Sequence, residues 1–217
     1  MTREDSIQNV AAELFTRYEA LRPCETDLRT AYDLLADCFA NGGKLLICGS
    51  GGSASDALHI TGELMKAFIS KRTIDAALAS ELHKRFPEDA DYLSSSLQGA
   101  LPTIALVENS ALATAVQNDI AGDLIPAQQV LGLGREGDVL LAISTSGNSR
   151  SGCLALELAA AKGMKTIGLT GADGGKFHTL CDCTIRVPEK ETFKVQELHL
   201  PVYHALCRML EIRFFGE

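Results

Sequence analysis

The sequence contains no tryptophan, and only 6% of its 217 residues are aromatic. It therefore offers no aromatic platform of the kind that stacks nucleobases or sugar rings. Positive charge is also scarce, since 20 Lys and Arg residues stand against 28 Asp and Glu residues and the formal net charge is -8. Proteins that bind the phosphate backbone of nucleic acids depend on many cationic contacts, so this composition argues against a nucleic-acid ligand.

Long apolar runs are missing as well. No stretch of about 18 apolar residues is present to span a bilayer, and the N-terminal MTREDSIQ lacks the apolar segment of a signal peptide. We therefore expect a cytoplasmic protein with no membrane partner. The seven cysteines are scattered, and the closest two, Cys181 and Cys183, are spaced too tightly for a usual zinc knuckle. We predict that all seven are reduced thiols without a metal role.

The chain does contain a regular alternation of helical and apolar segments. Amphipathic helices are predicted at the start, over 4–20 and 25–41. Five short apolar runs follow, at 44–49, 103–107, 138–144, 165–170 and 184–188. Continuous runs of this kind are typical of strands buried on both faces, and helices are predicted between and after them at 54–68, 111–118, 149–162 and 193–214. The alternation predicts one α/β domain over 1–217, with a doubly wound parallel sheet of five strands.

One segment breaks this alternation. Residues 70–101 make the first crossover much longer than a compact strand-helix-strand unit requires. We predict a helical insertion here, with helical turns around 80–86 and 89–97. Its first basic residues, Lys71 and Arg72, are expected to be a solvated charge pair, the alternative being that they approach a phosphate from a neighbouring subunit.

Two of the predicted strands end in similar clusters of small residues. The first strand leads into GSGGSAS from Gly49, and the third into STSGNS from Ser144. Ligands of open parallel sheets gather at the carboxyl ends of the strands. Glycines let backbone N–H groups approach an anion, and a helix N-terminus adds free donors and partial positive charge. The two loops therefore favour a phosphate group, the alternative being that Ser53 and Ser149 are only helix N-caps.

The spacing of these glycines excludes two common nucleotide motifs. Neither GxGxxG, which binds dinucleotides, nor GxxxxGK[ST], which binds nucleoside triphosphates, is present in the loops. A small phosphorylated metabolite is the ligand that they favour.

The helix after the first loop carries a pair of residues suited to a metal ion. His59 and Glu63 are four residues apart and so lie on one helical face. This spacing allows two ligands for one ion, although an ordinary surface pair is the simpler interpretation of the two residues alone.

The last helix adds polar residues to an otherwise apolar segment. Within KVQELHLPVYHAL, Gln196, His199 and His204 need partners for their polar atoms. Periodicity does not choose between the two histidines, because Gln196 is three residues from the first and eight from the second. Pro201 perturbs the turn between them.

Six segments, taken together, carry a resemblance to a known family. They are CGSGGSASDALHITGEL, the ND at 118–119, LGREGDVLLAISTSGNS, KGMKTIGLTGADGG, IRVP and VQELHLPVYH. In this order they resemble the sugar isomerase (SIS) domain family, and within it the phosphoheptose isomerases, over about 35–206. The chain departs from the family at Ser50, where asparagine is usual, and in the insertion at 70–101, which could form a lid, extend a subunit interface or change the sugar accepted.

The resemblance implies a flavodoxin-like sheet and a homotetramer whose active sites lie at subunit interfaces. It implies phosphate contacts at Ser144, Thr145, Ser146 and Ser149, and further substrate contacts at Ser50, Gly51, Gly52, Ser53, Asn118, Asp119 and Gln196. It also implies one zinc ion per subunit, held by His59, Glu63, Gln196 and His204. The resemblance thus selects His204 rather than His199.

The implied reaction is aldose–ketose isomerisation of a sugar phosphate through an enediol, with sedoheptulose 7-phosphate as the expected substrate and D-glycero-D-manno-heptose 7-phosphate as the product. Glu63 would act as the base and His204 as the acid, with zinc polarising the carbonyl. Two alternatives are a tetrameric scaffold of the type that associates with a replication initiator and a sugar-phosphate sensor without turnover. The scaffold relatives lack the full ligand set, so these four residues favour an enzyme.

Overall fold

The computed structural model describes residues 2–216, in which ten α-helices surround one sheet of five strands. The helices are α1 (Arg3–Arg17), α2 (Glu25–Ala40), α3 (Gly52–Met65), α4 (Ala76–Arg85), α5 (Pro87–Ser96), α6 (Ser110–Asp119), α7 (Ile125–Leu133), α8 (Arg150–Ala161), α9 (Phe177–Leu180) and α10 (Thr192–Phe215). The strands are β1 (Leu45–Cys48), β2 (Thr103–Ala105), β3 (Val139–Ser144), β4 (Lys165–Thr170) and β5 (Cys183–Arg186).

The sheet is parallel throughout, in the order β2-β1-β3-β4-β5. This is the strand order of flavodoxin-like folds, so the fold class predicted from the sequence is confirmed. The chain crosses from β1 to β2 on one side and then continues to β3 on the other side of β1. The connections that follow β1 and β3 therefore leave the sheet in opposite directions. Between them, at the carboxyl ends of the two strands, lies the crevice where such folds bind ligands.

The two faces of the sheet contribute to two separate cores. In β1, Leu45 and Ile47 pack into a cluster with α1, α2, α3 and α10, whereas Leu46 and Cys48 pack beneath α7, α8 and α9. This alternation follows from the two-residue period of a strand. Because both faces are covered, every residue of β1 and β3 is apolar or small, which is the pattern that the sequence showed.

Two helices were not predicted, for reasons visible in their sequences. In α7, Ala127, Gln129 and Val130 are buried, and so many apolar residues surround the helix that no amphipathic period stands out. The helix begins with Pro126 in its first turn, a position where proline costs no hydrogen bond. The four-residue helix α9 is too short to give a periodic signal.

The insertion is more helical than the sequence indicated. Its two helices, α4 and α5, form a hairpin in which Ala90 is the one residue buried. The expectation for Arg72 was wrong, since its side chain is 1% exposed. The last helix, α10, is unbroken across Pro201.

All seven cysteines are free, and all except the partly buried Cys181 are buried. Over residues 2–216 no helix combines the length and the apolar character that crossing a membrane requires.

Candidate active site

The two glycine- and serine-rich loops share one cavity of about 330 Å³ at the carboxyl end of the sheet. Its lining contains eight of the residues singled out in the sequence: Ser50, Gly51, Gly52, Ser53, Ser144, Thr145, Ser149 and Gln196. The two loops begin 95 residues apart, at Gly49 and Ser144, and meet here because β1 and β3 are neighbours in register, with Cys48 opposite Ala142. The cavity is thus a direct consequence of the strand order.

The first loop turns sharply into α3. Gly51 has φ = 60°, a conformation that side chains disfavour. At the next residue, a Cβ added to Gly52 would lie 2.4 Å from Nε2 of Gln196. Only glycine lets the amide of Gln196 lie so close to the start of α3. No side chain caps this helix, so its first N–H groups remain available to a ligand in the cavity.

The second loop packs equally closely against its neighbour, the loop after β4. Gly147 has φ = 63°, and a Cβ there would lie 2.0 Å from the carbonyl oxygen of Gly174. Ser149 caps α8, since its Oγ accepts a hydrogen bond from the N–H of Gly152. Capping and ligand binding are compatible here, because Ser149 also lines the cavity. Ser146 lies outside it, and its Oγ accepts from the N–H of Asn148.

Three helices begin at the cavity wall. Gly52 is the first residue of α3, Ser149 is the N-cap of α8, and Thr192 is the first residue of α10, and all three line the cavity. Each helix N-terminus carries partial positive charge and free N–H donors. Thr192 was not recognised from the sequence, because its role depends on how α10 packs beside α3. The convergence makes this cavity suited to an anion.

His59 and Glu63 form a hydrogen-bonded group with a residue that the sequence did not single out. Nε2 of His59 lies 3.1 Å from Oε1 of Glu63, and Nδ1 of His59 lies 3.0 Å from the Tyr203 hydroxyl. That hydroxyl donates to Oδ1 of Asp56 at 3.3 Å. Burial raises the pKa of both Tyr203 and Asp56. Tyr203 is hidden in the sequence because an aromatic residue in an apolar helix is an ordinary core residue.

His204 joins this group, whereas His199 does not. The ring centroid of His204 lies 5.0 Å from that of His59, and its buried Nε2 has no hydrogen-bond partner. Burial, and then the neighbouring His59, lowers the pKa of His204. His199 is fully buried on another face of α10, and burial lowers its pKa to about 4.

The structure does not bring all the implied metal ligands to one point. Over residues 2–216, no three His, Cys, Asp or Glu side chains converge in a way that could hold a metal ion. Gln196 packs against Gly52, while His204 lies two turns further along α10 and lines a separate groove of about 290 Å³ beside α1. The single chain thus divides the implied site between two regions.

Two further implied residues lie apart from both regions. Asn118 and Asp119 end α6 on the surface, where the Asn118 amide donates to the Asp119 carboxylate at 2.8 Å. Neither lines the cavity of the two loops.

Comparisons with protein families give a consistent match. Residues 116–209 match the SIS domain, and residues 9–97 match a second description of the SIS domain. Between them these segments include both loops and the helices that carry His59, Glu63 and His204.

Similar proteins match over nearly their whole length. A phosphoheptose isomerase from Rhodospirillum rubrum is 38% identical over 96% of this chain and 97% of its own length. One from a Nitratiruptor species is 35% identical over 96% of this chain and 100% of its own. Among solved structures, a phosphoheptose isomerase from Francisella tularensis is 32% identical, with a TM-score of 0.73, over 97% of this chain and 98% of the other.

Proposed function

Because the chain belongs to the phosphoheptose isomerases of the SIS domain family, we propose that it isomerises sedoheptulose 7-phosphate to D-glycero-D-manno-heptose 7-phosphate. The observation that carries this proposal is the cavity where three helices begin, since it suits the phosphate of such a sugar. The family match supports isomerisation as the reaction type, because the matched segments include both loops and the helices that carry His59, Glu63 and His204.

The sugar phosphate would bind with its phosphate among Ser144, Thr145 and Ser149. These residues combine hydroxyl donors with the N-terminus of α8. Gln196 and the N–H groups at the start of α3 lie on the opposite wall. Binding through neutral donors and helix dipoles suits a small dianion in a protein whose net charge is -8.

The isomerisation itself requires one proton to move between adjacent carbons. We assign the removal and return of that proton to the Glu63 carboxylate, which is mostly buried beside His59. His204 would serve the substrate oxygens. Burial lowers the pKa of His204, which favours the neutral imidazole, and a neutral imidazole would act as a hydrogen-bond donor, as it does in other isomerases.

A zinc ion is the cofactor that we propose, held by His59, Glu63, Gln196 and His204. When the Tyr203 hydroxyl donates its hydrogen bond to Asp56, its oxygen is free to accept one from Nδ1 of His59. In the neutral imidazole, Nε2 then carries a lone pair that faces the Glu63 carboxylate at 3.1 Å. Two acceptors at this separation need a proton or a cation between them.

The chemistry of these donors suits zinc, since imidazole and carboxylate are its usual ligands. When bound, the ion would polarise the substrate carbonyl. Gln196 and His204 would have to turn toward His59, because the four side chains do not converge as they stand.

Zinc content can be measured without any assay of activity. We expect the metal-free protein to bind close to one equivalent of zinc in a competition titration, and the double variant His59→Ala/Glu63→Gln to bind at least tenfold more weakly. His83 lies on α4 and is 51% exposed, so His83→Ala is the matched control and should bind as the unaltered protein does. Equal zinc affinity in all three proteins would contradict the assignment.

A homotetramer is the assembly that we propose. Leu58 and Met65 on α3 and Leu200 on α10 are 39%, 45% and 40% exposed. The first two share a helix with His59, and Leu200 lines the same groove as His204. Contact between subunits would cover these apolar side chains and draw the divided site together. The cytoplasm is the proposed location, since seven free thiols persist in a reducing compartment.

Turnover is the direct test of function. We expect the purified protein to convert sedoheptulose 7-phosphate to the aldose phosphate, and Glu63→Gln or His204→Ala to reduce kcat by about 10²- to 10⁴-fold. His83→Ala should leave kcat unchanged. If the unaltered protein binds the sugar phosphate but shows no turnover with or without zinc, it is a sensor or a scaffold instead.

A further inference from the structure

A buried ion pair joins the insertion to the last helix. Nε of Arg72 donates to Oε1 of Glu211 at 2.9 Å, and each residue is 1% exposed. Arginine and glutamate are almost never buried to this degree without a partner. Neither residue lines the cavity of the two loops, so the pair does not belong to the phosphate site.

The remaining nitrogens of Arg72 bind the end of α3. Nη1 donates to the carbonyl oxygen of Leu64 at 2.8 Å, and Nη2 donates to that of Glu63 at 2.9 Å. These carbonyls lie in the last turn of α3, where a helix has no partners of its own to offer. Positive charge is also favourable at this end of a helix. Arg72 therefore caps the helix at the residue that we assign as the base.

Glu211 holds the segment that follows α3. Its carboxylate accepts hydrogen bonds from three consecutive backbone N–H groups, at 2.8 Å from Phe68, 2.9 Å from Ile69 and 3.1 Å from Ser70. One side chain on α10 thus fixes residues 68–70, a short way beyond the helix, while its partner Arg72 fixes the helix end.

The two ends of the insertion are joined at the same place. The N–H of Gly99 lies 3.4 Å from the carbonyl oxygen of Arg72, and the N–H of Leu101 lies 3.0 Å from that of Leu64. The ring of Phe215 covers the guanidinium, with its centroid 4.7 Å away. The α4–α5 hairpin beyond this point has few buried contacts, so it can move without a large loss of packing.

We propose that Arg72 and Glu211 are positioning residues for the isomerase reaction, which hold the last turn of α3, and with it the Glu63 carboxylate, in place at the base of the exposed α4–α5 hairpin. This inference rests on the proposed function, in which Glu63 moves the proton. A displacement of about 1 Å at a catalytic group can cost about 100-fold in rate, so a firm anchor for Glu63 has a direct chemical value.

A contribution to stability alone does not explain why a buried ion pair is present at this position. Buried ion pairs can often be replaced by apolar residues of similar size with little loss of stability, whereas removing one partner is strongly destabilising. The double variant Arg72→Met/Glu211→Met is therefore expected to fold. It nevertheless removes the side-chain hydrogen bonds to the carbonyls of Glu63 and Leu64 and to the N–H groups of residues 68–70, while Leu64 keeps its hydrogen bond from the N–H of Leu101.

The test compares kcat and KM for sedoheptulose 7-phosphate in the unaltered protein, in Arg72→Lys and in the double Met variant. We expect kcat to fall about 10- to 100-fold in the double variant, with a smaller fall in Arg72→Lys, which keeps the charge. KM should change less than about twofold, because neither Arg72 nor Glu211 lines the cavity that would hold the phosphate.

A matched control is the exposed pair on the hairpin. Arg85 lies 3.9 Å from Glu81 on α4, and Arg85→Met should change neither kcat nor KM. If the double Met variant and Arg72→Lys both keep kcat within twofold of the unaltered protein, the pair is only structural and the inference is overturned. If the unaltered protein itself shows no turnover, the proposed function fails instead, and the two failures are distinguishable.

Discussion

Ser149 illustrates how one side chain serves the fold and the ligand together. It caps α8 and lines the cavity of the two loops. We expect Ser149→Ala to weaken the binding of inorganic phosphate about 10-fold or more, since hydrogen bonds to charged groups contribute about 1.5–3 kcal/mol. The measurement is the phosphate dissociation constant from isothermal titration calorimetry.

The loss of a helix cap has to be separated from the loss of a ligand contact. Asp75 caps α4 through two backbone N–H groups far from the cavity. Asp75→Ala should therefore lower stability by about 1 kcal/mol while leaving phosphate affinity unchanged. Equal affinity in both variants would mean that Ser149 is a cap and nothing more.

His199 makes stability depend on pH. Neither ring nitrogen has a partner with hydrogen-bond geometry, and burial lowers the pKa to about 4, with the Thr170 backbone acting weakly in the opposite direction. Between about pH 6.5 and 4 the unfolded chain binds a proton here that the folded chain does not. The stability contributed by neutral His199 is thus fully present above about pH 6.5 and is lost as the pH falls toward 4.

The size of this effect can be isolated with an apolar substitution. From pH 7 to pH 5 the unaltered protein should lose about 2 kcal/mol through His199. From pH 7 to pH 5 the free energy of unfolding of His199→Leu should therefore fall by about 2 kcal/mol less than that of the unaltered protein. The measurement is urea unfolding at both pH values, and an identical pH dependence in the two proteins would rule out this role for His199.

Helices α3 and α10 set the geometry of the site through one close contact. Their N-terminal ends meet where Gly52 faces Gln196, and their later turns meet where His59 faces Tyr203. The two helices therefore run side by side in the same direction. Because the contact at Gly52 has no room for a Cβ, we expect Gly52→Ala to displace Gln196 and to weaken phosphate binding about 10-fold, a loss of about 1.4 kcal/mol.

A second glycine in the same helix provides the control. A Cβ at Gly62 would meet no atom within 4 Å. Gly62→Ala should raise the free energy of unfolding by about 0.5–1 kcal/mol, because alanine is the better helix former. If both substitutions stabilise the protein and neither changes phosphate affinity, the close approach at Gly52 has no functional meaning.

A single copy of the chain does not assemble the complete active site that the family resemblance implies. The two glycine- and serine-rich loops and Gln196 line one cavity, whereas His204 lines a separate groove beside α1. We expect sedimentation velocity to show a species of four chains. The exposed Leu58 should lie in its interface, so Leu58→Glu is expected to yield smaller species with reduced kcat. A monomer with full activity would contradict the proposed assembly.

Much of this protein could be predicted from the order of its residues. The five strands, the parallel sheet and the helices between them follow from apolar runs and amphipathic periods, which are local properties of a chain. The two loops were found in the same way, because glycine and serine after a strand have a local meaning. The insertion helices and α7 were poorly predicted, since few of their residues give a one-sided pattern.

Contacts between distant residues depend instead on how the helices pack. Helical periodicity gave no reason to choose His204 over His199, or to link Thr192 and Tyr203 to the site. All four residues lie on α10, and the residues that they contact belong to other elements. Arg72 was expected to be solvated together with its neighbour Lys71, because a basic pair in a polar segment is ordinarily exposed. Its partner, Glu211, lies 139 residues away, and the free energy of such a pair exists only once the chain has folded around it.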